Sequence, residues 1–276
     1  MAARRELGEE LRRLRGDRRG AAVAAALGWS ESKLSRIETA RTGISDPDLE
    51  SLLHILGLPP DARADLRDLA RRGRARVWWA PYRSSVAERY DEFVAFEAEA
   101  VRICEWEAQV VPGLLQTDEY AHAVIAVGAD VGDPETLQRR TALRMARQSV
   151  LTRRPPPELR VILDESALHR EVGGRAVQRR QLQHLHDASQ RSAIELRVLP
   201  FSAGAHAALG ETFVMFEFAD PGRAPVVHCE DLVGGQVRVK ESDVLVYRKA
   251  FADLEDRALS VAESRDLVAR TGERLR

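Results

Sequence analysis

The sequence has little cysteine and few aromatic residues. Its 276 residues include only two cysteines, Cys104 and Cys229, and aromatic side chains make up 5% of the chain. The two cysteines form no CxxC pair, which excludes a disulfide framework. We therefore expect two reduced thiols that lie in or near hydrophobic cores.

Long hydrophobic runs are also missing. No apolar stretch reaches the roughly 18–20 residues that a membrane-spanning helix needs, and the first residues, Met1 to Glu6, are polar and contain no signal-peptide core. We therefore expect a cytoplasmic protein with no membrane partner. Hydrophobic residues at 44% and charged residues at 31% are typical of a chain that buries a sizeable core, and the length suits two or three compact units.

Positive and negative charges are nearly equal in number, but they are unevenly distributed along the chain. The net charge of −1 excludes a polycation. Residues 1–41 contain ten Lys or Arg and six Asp or Glu, a surplus of four positive charges, whereas the remaining residues sum to −5. A basic first segment on a nearly neutral chain favours a DNA-reading module that is joined to another domain.

The spacing of apolar residues divides the chain into two domains. Residues 1–76 have the helical spacing seen at Leu7, Leu11 and Leu14, and residues 77–83 are predicted to form a connector. A helical part follows to about residue 154, including a long acidic helix from about Ser84 to Trp106. Three consecutive prolines then mark a break before a strand-containing part, residues 155–276.

The predicted fold class is α+β, with an all-α domain of five helices (1–76) and a larger mixed α/β domain (77–276). Short apolar or alternating runs predict the strands, and longer polar-apolar runs predict the later helices. The predicted strands are Leu159–Leu163, Ile194–Leu199, Thr212–Phe218, Val226–Cys229 and Gln236–Val239. The predicted later helices are Gly174–Ser189, Asp243–Asp256 and Ser260–Arg270.

The residues from Gly20 to Ile37 match the requirements of a helix-turn-helix. Ala24 is small where two helices would nearly touch, and Gly28, four residues later, permits a left-handed turn. The inward positions are apolar: Val23, Leu27, Trp29, Leu34 and Ile37. An ordinary helical hairpin would share the Ala–Gly spacing, but the full set indicates a DNA-binding motif with its third helix at Ser30–Thr39.

The polar residues of this third helix form a candidate DNA-binding surface. Arg36 can donate to guanine in the major groove, and Glu31 and Ser32 are in the first turn, which meets base edges. Positively charged and hydroxyl side chains nearby are candidates for phosphate contacts, whereas Glu38 is expected to pair within the domain. The candidate set is Ser30, Glu31, Ser32, Lys33, Ser35, Arg36, Thr39, Arg41, Arg18 and Arg19.

Two groups of segments resemble known families. The residues Leu14-Arg15 and Leu27 to Glu38 resemble the XRE (lambda-repressor-like) family. Segments further along resemble the C-terminal region of the actinobacterial WhiJ-like regulators: Glu97 to Ala100, Val111-Pro112-Gly113-Leu114-Leu115-Gln116-Thr117, Leu163 to Leu168, Leu199 to His206 and Glu230 to Leu232. The resemblance implies a transcriptional regulator with a five-helix DNA-binding domain, and members of the group commonly have a small acidic partner protein.

One feature departs from the family pattern. The turn Asp17–Gly20 is about two residues shorter than usual, and Gly20 stands where a phosphate-binding Gln is common. Arg18 and Arg19 could replace that contact through their charge. The second helix is expected to begin without the usual cap.

The function of the C-terminal domain has competing interpretations. It could hold a homodimer together after residue 84 and sense a ligand or a small partner protein, or it could be catalytic. The catalytic candidates are Glu165 with His169, and a possible cluster of His206, His228, Cys229, Glu230 and Asp231. No P-loop, dinucleotide-binding fingerprint or metal-site spacing is present, so we expect no cofactor, no metal and no enzyme activity. A third hypothesis is an adaptor protein whose helix-turn-helix no longer binds DNA.

Overall fold

The computed structural model describes residues 2–74, 90–128, 132–231 and 234–275. The chain divides into two compact units, Met1–Pro81 and Tyr82–Arg276. The predicted connector, residues 77–83, lies outside the described residues. Within the described ranges, no helix is long and apolar enough to cross a membrane.

The described part of the N-terminal unit contains five α-helices, as predicted. Their apolar residues recur every three or four positions, which places them on one face of each helix. The side chains of this core are at most 7% exposed and include Leu11, Leu34 and Leu49. The helices are α1 (Ala2–Arg15), α2 (Gly20–Ala26), α3 (Glu31–Glu38), α4 (Asp46–Ile55) and α5 (Ala64–Arg74), the last preceded by a 3₁₀ turn, Pro60–Arg63.

The backbone of helix α1 contacts the end of α3 at Gly8, which has no side chain. A Cβ atom on Gly8 would lie 2.5 Å from the carbonyl oxygen of Glu38 and 3.0 Å from that of Ile37. Glycine is therefore needed here for close approach of the two backbones, although glycine inside a helix costs about 1 kcal/mol relative to alanine.

We expect Gly8→Ala to lower the free energy of unfolding of the N-terminal unit by about 1–3 kcal/mol, because overpacking against backbone outweighs the better helix propensity. The measurement is urea unfolding of the full chain followed by circular dichroism. The control is Gly20→Ala, whose Cβ would lie 3.8 Å from the nearest atom, an oxygen of the Glu31 carboxylate, and this substitution should cost nothing. Equal stability of Gly8→Ala and wild type would contradict this packing.

The C-terminal unit combines helices with a mixed sheet. Its described helices are α6 (Tyr90–Glu99), α7 (Asp118–Ala126), α8 (Pro134–Arg147), α9 (Ser166–His169), α10 (Arg175–Ala188), α11 (Glu241–Arg257) and α12 (Val261–Glu273). Its described strands are β1 (Arg102–Glu107), β2 (Glu158–Asp164), β3 (Ile194–Leu199), β4 (Phe213–Glu217), β5 (Val226–Asp231) and β6 (Gly234–Arg238).

The six described strands form one sheet in the order β3-β2-β1-β4-β5-β6. The pairs β1–β2 and β2–β3 are parallel, and β4, β5 and β6 continue the sheet in antiparallel fashion. The parallel pair β2 and β3 is joined through α10, which is the strand-helix-strand unit that the sequence predicts. Strand β1 is thus central, with neighbours on both sides.

Alternate residues of β1 point to opposite faces of the sheet. Cys104 and Trp106 belong to one hydrophobic core, together with Phe213 of β4 and with Phe251 and Leu254 of α11. The opposite face carries Ile103, Glu105 and Glu107, and α6 covers part of it. There the ring of Phe93 lies 5.5 Å from that of Phe216, whose strand position is opposite Ile103.

The structure confirms the fold class and corrects one part of it. The predicted helix from about Ser84 to Trp106 is wrong at its C-terminal end, because α6 ends at Glu99 and residues Arg102–Glu107 form β1. The helical part to about residue 154 therefore contains the central strand of the sheet. Helix α6 and β1 follow one another with only two residues between them, so the apolar pattern changes from helical to alternating without a turn signal.

The later predicted elements are confirmed to within a few residues. The runs at 159–163, 194–199, 212–218, 226–229 and 236–239 correspond to β2 to β6, and the three predicted helices correspond to α10, α11 and α12. Both cysteines are free and buried, as expected.

Candidate functional site

The turn between α2 and α3 has the geometry that its sequence predicts. Gly28 has φ +67°, a left-handed conformation that favours glycine. The backbone N–H of Trp29 donates to the carbonyl of Ala24 at 2.8 Å, which closes the turn. Ser30 is the N-cap of α3, and its hydroxyl accepts from the backbone N–H of Lys33 at 3.2 Å. The third helix therefore begins where the helix-turn-helix motif requires.

Helix α3 has one buried face and one exposed face. Leu34 and Ile37 are each 2% exposed and join the core of the unit. The opposite face carries exposed polar residues at helical spacing: Glu31, Ser32, Ser35, Arg36 and Thr39. This row, the α3 polar face, is continuous over two turns of helix and includes a guanidinium group.

Several of the predicted DNA-binding side chains already have partners in the protein. The Lys33 ammonium lies 3.0 Å from the Asp48 carboxylate and 4.1 Å from the centre of the Trp29 ring. The Arg18 guanidinium donates to the carbonyl of Ile55 at the end of α4, at 2.8 Å. Lys33 and Arg18 are thus held by intramolecular contacts. A hydrogen bond from either side chain to an anionic partner would have to share or replace these contacts.

The other predicted residues near α3 lie at the surface. Thr39 is exposed, and its hydroxyl donates to the Ser35 carbonyl at 2.7 Å. Three arginines are exposed: Arg36, Arg41 and Arg19. Unlike Lys33, their side chains form no ion pair with a carboxylate in the described part of the chain. These three guanidinium groups are therefore available for an anionic partner.

Glu38 pairs within the domain, as predicted. Its carboxylate accepts two hydrogen bonds from the Arg15 guanidinium, at 2.6 and 3.0 Å. The pair is largely buried, with side-chain exposures of 17% for Arg15 and 9% for Glu38. It fixes the end of α1 against the end of α3, so both residues support the α3 polar face rather than contact a ligand.

Helix α2 begins without a side-chain cap, as the short turn predicts. Its N-cap residue is Arg19, whose side chain makes no capping hydrogen bond. The turn is anchored at Arg15 instead, whose guanidinium also donates to the carbonyl of Arg18 at 2.7 Å. The shortened turn is therefore compatible with a folded helix-turn-helix.

A second candidate site is a cavity of about 470 Å³ within the C-terminal unit. It lies on the face of the sheet that carries Glu105. The strand register places Glu105, Val214 and His228 side by side on β1, β4 and β5. Glu107 and Glu230 lie two residues further along their strands on the same face. We call these four polar residues of the sheet, Glu105, Glu107, His228 and Glu230, the acidic floor.

The remaining walls of the cavity come from helices and from the segment after β1. Helix α8 contributes Arg144 and Arg147, helix α6 contributes Tyr90 and Phe93, and the segment after β1 contributes Gln116. The Arg144 guanidinium donates to the Gln116 side chain at 2.9 Å. The cavity is therefore mixed in character, with carboxyl groups below and guanidinium and aromatic groups above.

Arg147 is committed to a buried ion pair beside the cavity. It donates to the Glu97 carboxylate through Nε at 3.0 Å and Nη2 at 2.6 Å, and to the Tyr90 hydroxyl at 2.5 Å. The side chains of Arg147 and Glu97 are 5% and 3% exposed. Glu97 and Tyr90 take up the hydrogen bonds of Arg147, so this guanidinium acts on Glu105 only by charge attraction.

Burial raises the pKa of two carboxyl groups of the acidic floor. The pKa of Glu105 rises to about 7, because burial outweighs the attraction of Arg147. The pKa of Glu107 is raised well above its usual value of 4.5, first by burial and then by the neighbouring carboxylates of Glu105 and Glu230. Burial likewise lowers the pKa of His228. Burial therefore favours the neutral forms of these groups.

These shifts predict how stability depends on pH. The folded protein holds the Glu105 proton more tightly than the unfolded chain, whose carboxyl has the usual pKa of 4.5. The free energy of unfolding therefore falls as pH rises from about 4.5 to 7, by an amount on the order of 2–3 kcal/mol, and then levels off. The charged or titratable groups that face Glu105 are Glu107, Glu97, Tyr90, Arg144, Arg147, His228 and Glu230.

The measurement is urea unfolding of wild type and Glu105→Gln between pH 5 and pH 8. The glutamine has the shape of the protonated acid but cannot ionise, so the variant should gain stability relative to wild type as pH rises through this window. Parallel stability curves for the two proteins would contradict the raised pKa of Glu105.

Glu165 and His169, the first predicted catalytic pair, lie close together. The Glu165 carboxylate lies 3.5 Å from His169 and accepts from the backbone N–H of Phe201 at 2.8 Å. The ring of His169 stacks on Phe201. Both residues of the pair thus contact Phe201, at the start of the segment after β3.

The second predicted cluster is divided between the two faces of the sheet. His228 faces the cavity, whereas Cys229 and the ring of His206, which packs against Trp106, lie on the other face. Burial raises the pKa of Cys104 to about 12 and also raises that of Cys229. Among the described residues, no group of three or more His, Cys, Asp or Glu could hold a metal ion; the side chain of Asp231 is not described.

Sequence reasoning missed Glu105 and Glu107. Both lie in the segment that was expected to be helical, where a helical wheel scatters them. The signal was the alternation in Ile103-Cys104-Glu105-Trp106-Glu107, which in a strand places both carboxyl groups on one face.

Two family profiles match separate parts of the chain. The profile of a family described as "Helix-turn-helix domain" matches residues 6–66. A second profile, described as "Domain of unknown function (DUF5753)", matches residues 90–270, which is more than half of the chain. No curated protein and no solved structure matches the chain. The chain is a DNA-binding helix-turn-helix protein that belongs to the DUF5753 family.

Proposed function

We propose that the protein is a sequence-specific transcriptional regulator of the XRE (lambda-repressor-like) type, in which α3 enters the major groove of DNA. The observation that carries this proposal is the α3 polar face, a row of exposed side chains opposite the buried Leu34 and Ile37. Arg36 supplies the fork of donors that matches guanine, and Glu31, Ser32 and Ser35 supply further polar groups for base edges.

Phosphate contacts around α3 come chiefly from Arg41 and Arg19, which are exposed. Ser30 and Thr39 add hydroxyl groups at the two ends of the helix. Lys33 and Arg18 contribute positive charge while they keep their contacts with Asp48 and Ile55. The adaptor hypothesis is less favoured, because the shortened turn leaves α3 capped, its inner face buried and its outer face polar.

We infer that the protein binds DNA as a homodimer, and that the C-terminal domain holds the two subunits together. A single helix-turn-helix buries a modest area on DNA, and pairing of two half-sites supplies affinity and length of the recognised sequence. The start of α11 offers a candidate surface, because Val239, Leu245 and Val246 are 57%, 50% and 64% exposed. Analytical ultracentrifugation of wild type and of Val246→Lys measures the oligomeric state. The wild type should be dimeric, and the variant should shift toward monomer.

The C-terminal domain is proposed to sense a ligand or a small partner protein, as in the WhiJ-like group, and not to act as an enzyme. The cavity beside the acidic floor supports a ligand site. The exposed Arg179 lines a groove between α10 and α12 and offers positive charge to an acidic partner. The buried thiols, with their raised pKa, are poor nucleophiles, which favours binding over catalysis.

The test is selection of genomic DNA fragments by the purified full chain, followed by a salt titration on the enriched sequence. We expect a discrete, palindromic motif and an affinity that falls steeply with salt, since each neutralised phosphate releases counterions. Equal, weak binding to all fragments would contradict sequence-specific recognition. A repeat of the selection with the small acidic partner protein present shows whether that partner is needed.

A further inference from the structure

We propose that the cavity above the acidic floor binds a small organic cation that also carries a hydrogen-bond acceptor. This inference rests on the proposed regulatory function, because it names the ligand class of the sensing domain. A cavity of about 470 Å³ lies in the size range of small-molecule sites, which is roughly 300–1,000 Å³.

The charge of the lining favours a cation. Three carboxyl groups, Glu105, Glu107 and Glu230, face the cavity. Arg147 is satisfied by Glu97, so Arg144 is the remaining guanidinium among the described lining residues. The carboxyl groups of Glu105 and Glu107 are buried close together. Ionisation of such groups is costly unless a positive charge binds beside them. A ligand ammonium or guanidinium group supplies that charge and donates to the carboxylates.

Two polar groups in the lining lack partners within the described structure. His228 is 6% exposed, yet its imidazole makes no hydrogen bond with a described residue and is held against the edge of the Phe93 ring at 4.7 Å. The buried Nε of Arg144 has no hydrogen-bond partner either. Buried polar groups are normally satisfied, so the unpartnered imidazole of His228, which lines the cavity, provides a site for an acceptor on the ligand.

The backbone is shaped to leave both groups in place. A Cβ atom on Gly235 would lie 1.9 Å from Nε2 of His228, and one on Gly113 would lie 3.2 Å from Arg144. Glycine at these positions gives the imidazole and the guanidinium room beside the cavity. Phe93, Val110 and Val214 add an apolar wall for the body of the ligand.

The experiment compares amines with matched compounds of other charge. The probes are tyramine with its neutral and acidic counterparts, para-ethylphenol and para-hydroxyphenylacetate, and aminohexanol with hydroxyhexanoate. Each is titrated into the full chain by calorimetry and in thermal unfolding. We expect at least one amine to bind and to raise the Tm, and the neutral and acidic counterparts to have little effect. No binding by either amine, or equal binding by the acids, would overturn the proposal.

Two variants locate the binding. Glu107→Gln should weaken amine binding by about tenfold or more, because it removes a charge-assisted contact. The control is Glu195→Gln, which changes a carboxylate on edge strand β3 outside the cavity and should leave amine binding unchanged. An equal loss in both variants would contradict this site. DNA binding is measured in parallel. If no amine binds but the wild-type protein binds DNA sequence-specifically, only the ligand proposal is refuted. If the wild-type protein shows no sequence-specific DNA binding, the proposed regulatory function is refuted.

Discussion

Glu97→Gln is expected to destabilise the C-terminal unit by about 3–5 kcal/mol, because it leaves the buried Arg147 guanidinium without its counterion. Glu97 and Arg147 are among the least exposed charged residues described, at 3% and 4% of their surface. Arginine cannot lose its proton to escape this cost. Urea unfolding of the full chain, followed by circular dichroism, gives the change in free energy.

The control for this prediction is an exposed ion pair. Glu119 and Arg180 are 54% and 47% exposed at a separation of 2.6 Å, and Glu119→Gln should cost less than about 1 kcal/mol. The double variant Glu97→Met with Arg147→Met should recover much of the lost stability, because the uncompensated charge is gone. If Glu97→Gln were no more costly than Glu119→Gln, the buried pair would not hold α6 to α8.

Arg36→Ala is expected to cause a large loss of discrimination between the selected DNA site and a scrambled one. A bidentate arginine–guanine contact contributes about 1–3 kcal/mol of discrimination, which is roughly 5- to 150-fold per half-site and applies twice in a dimer. Arg36 is exposed on α3 and supports no core contact, so the fold should be unchanged. Fluorescence anisotropy with both DNA sequences measures the ratio of affinities.

The matched control is Arg41→Ala, beyond the end of α3. A phosphate contact carries no sequence information, so this variant should weaken binding to both sequences about equally and reduce the salt slope by about one per half-site, or about two in the dimer. If Arg36→Ala behaved like Arg41→Ala, then Arg36 would contact only the DNA backbone.

The helix-turn-helix could be predicted from sequence because its requirements are local. Ala24, Gly28 and the Ser30 cap act within a few residues of one another, and the left-handed φ of Gly28 follows directly from the turn. The strands β2 to β6 were also predictable, since turn residues flank alternating or apolar runs. The partners of Lys33 and Arg18 were not, because Asp48 and Ile55 are 15 and 37 residues away.

The cavity could not be predicted, because it depends on strand order. Glu105 and His228 are far apart in the chain and meet only because β4 lies between β1 and β5. Two segments that stand out in the sequence do lie in this region. Glu97 pairs with Arg147, and the segment Val111–Thr117 places Gly113 and Gln116 in the cavity wall. Sequence motifs thus marked residues around the site without revealing its acidic floor.

The central claim is that α3 lies in the major groove, and site-directed DNA cleavage tests it most directly. Ser32→Cys places a thiol on the α3 polar face, and an iron-EDTA group attached there cleaves nearby DNA; the natural cysteines are both buried. The control places the same group at Glu9, which is exposed on α1. We predict cleavage from position 32 at discrete positions within each half-site of the selected sequence, and weak or displaced cleavage from position 9. Absence of cleavage from position 32 on DNA that the protein demonstrably binds would contradict recognition by α3.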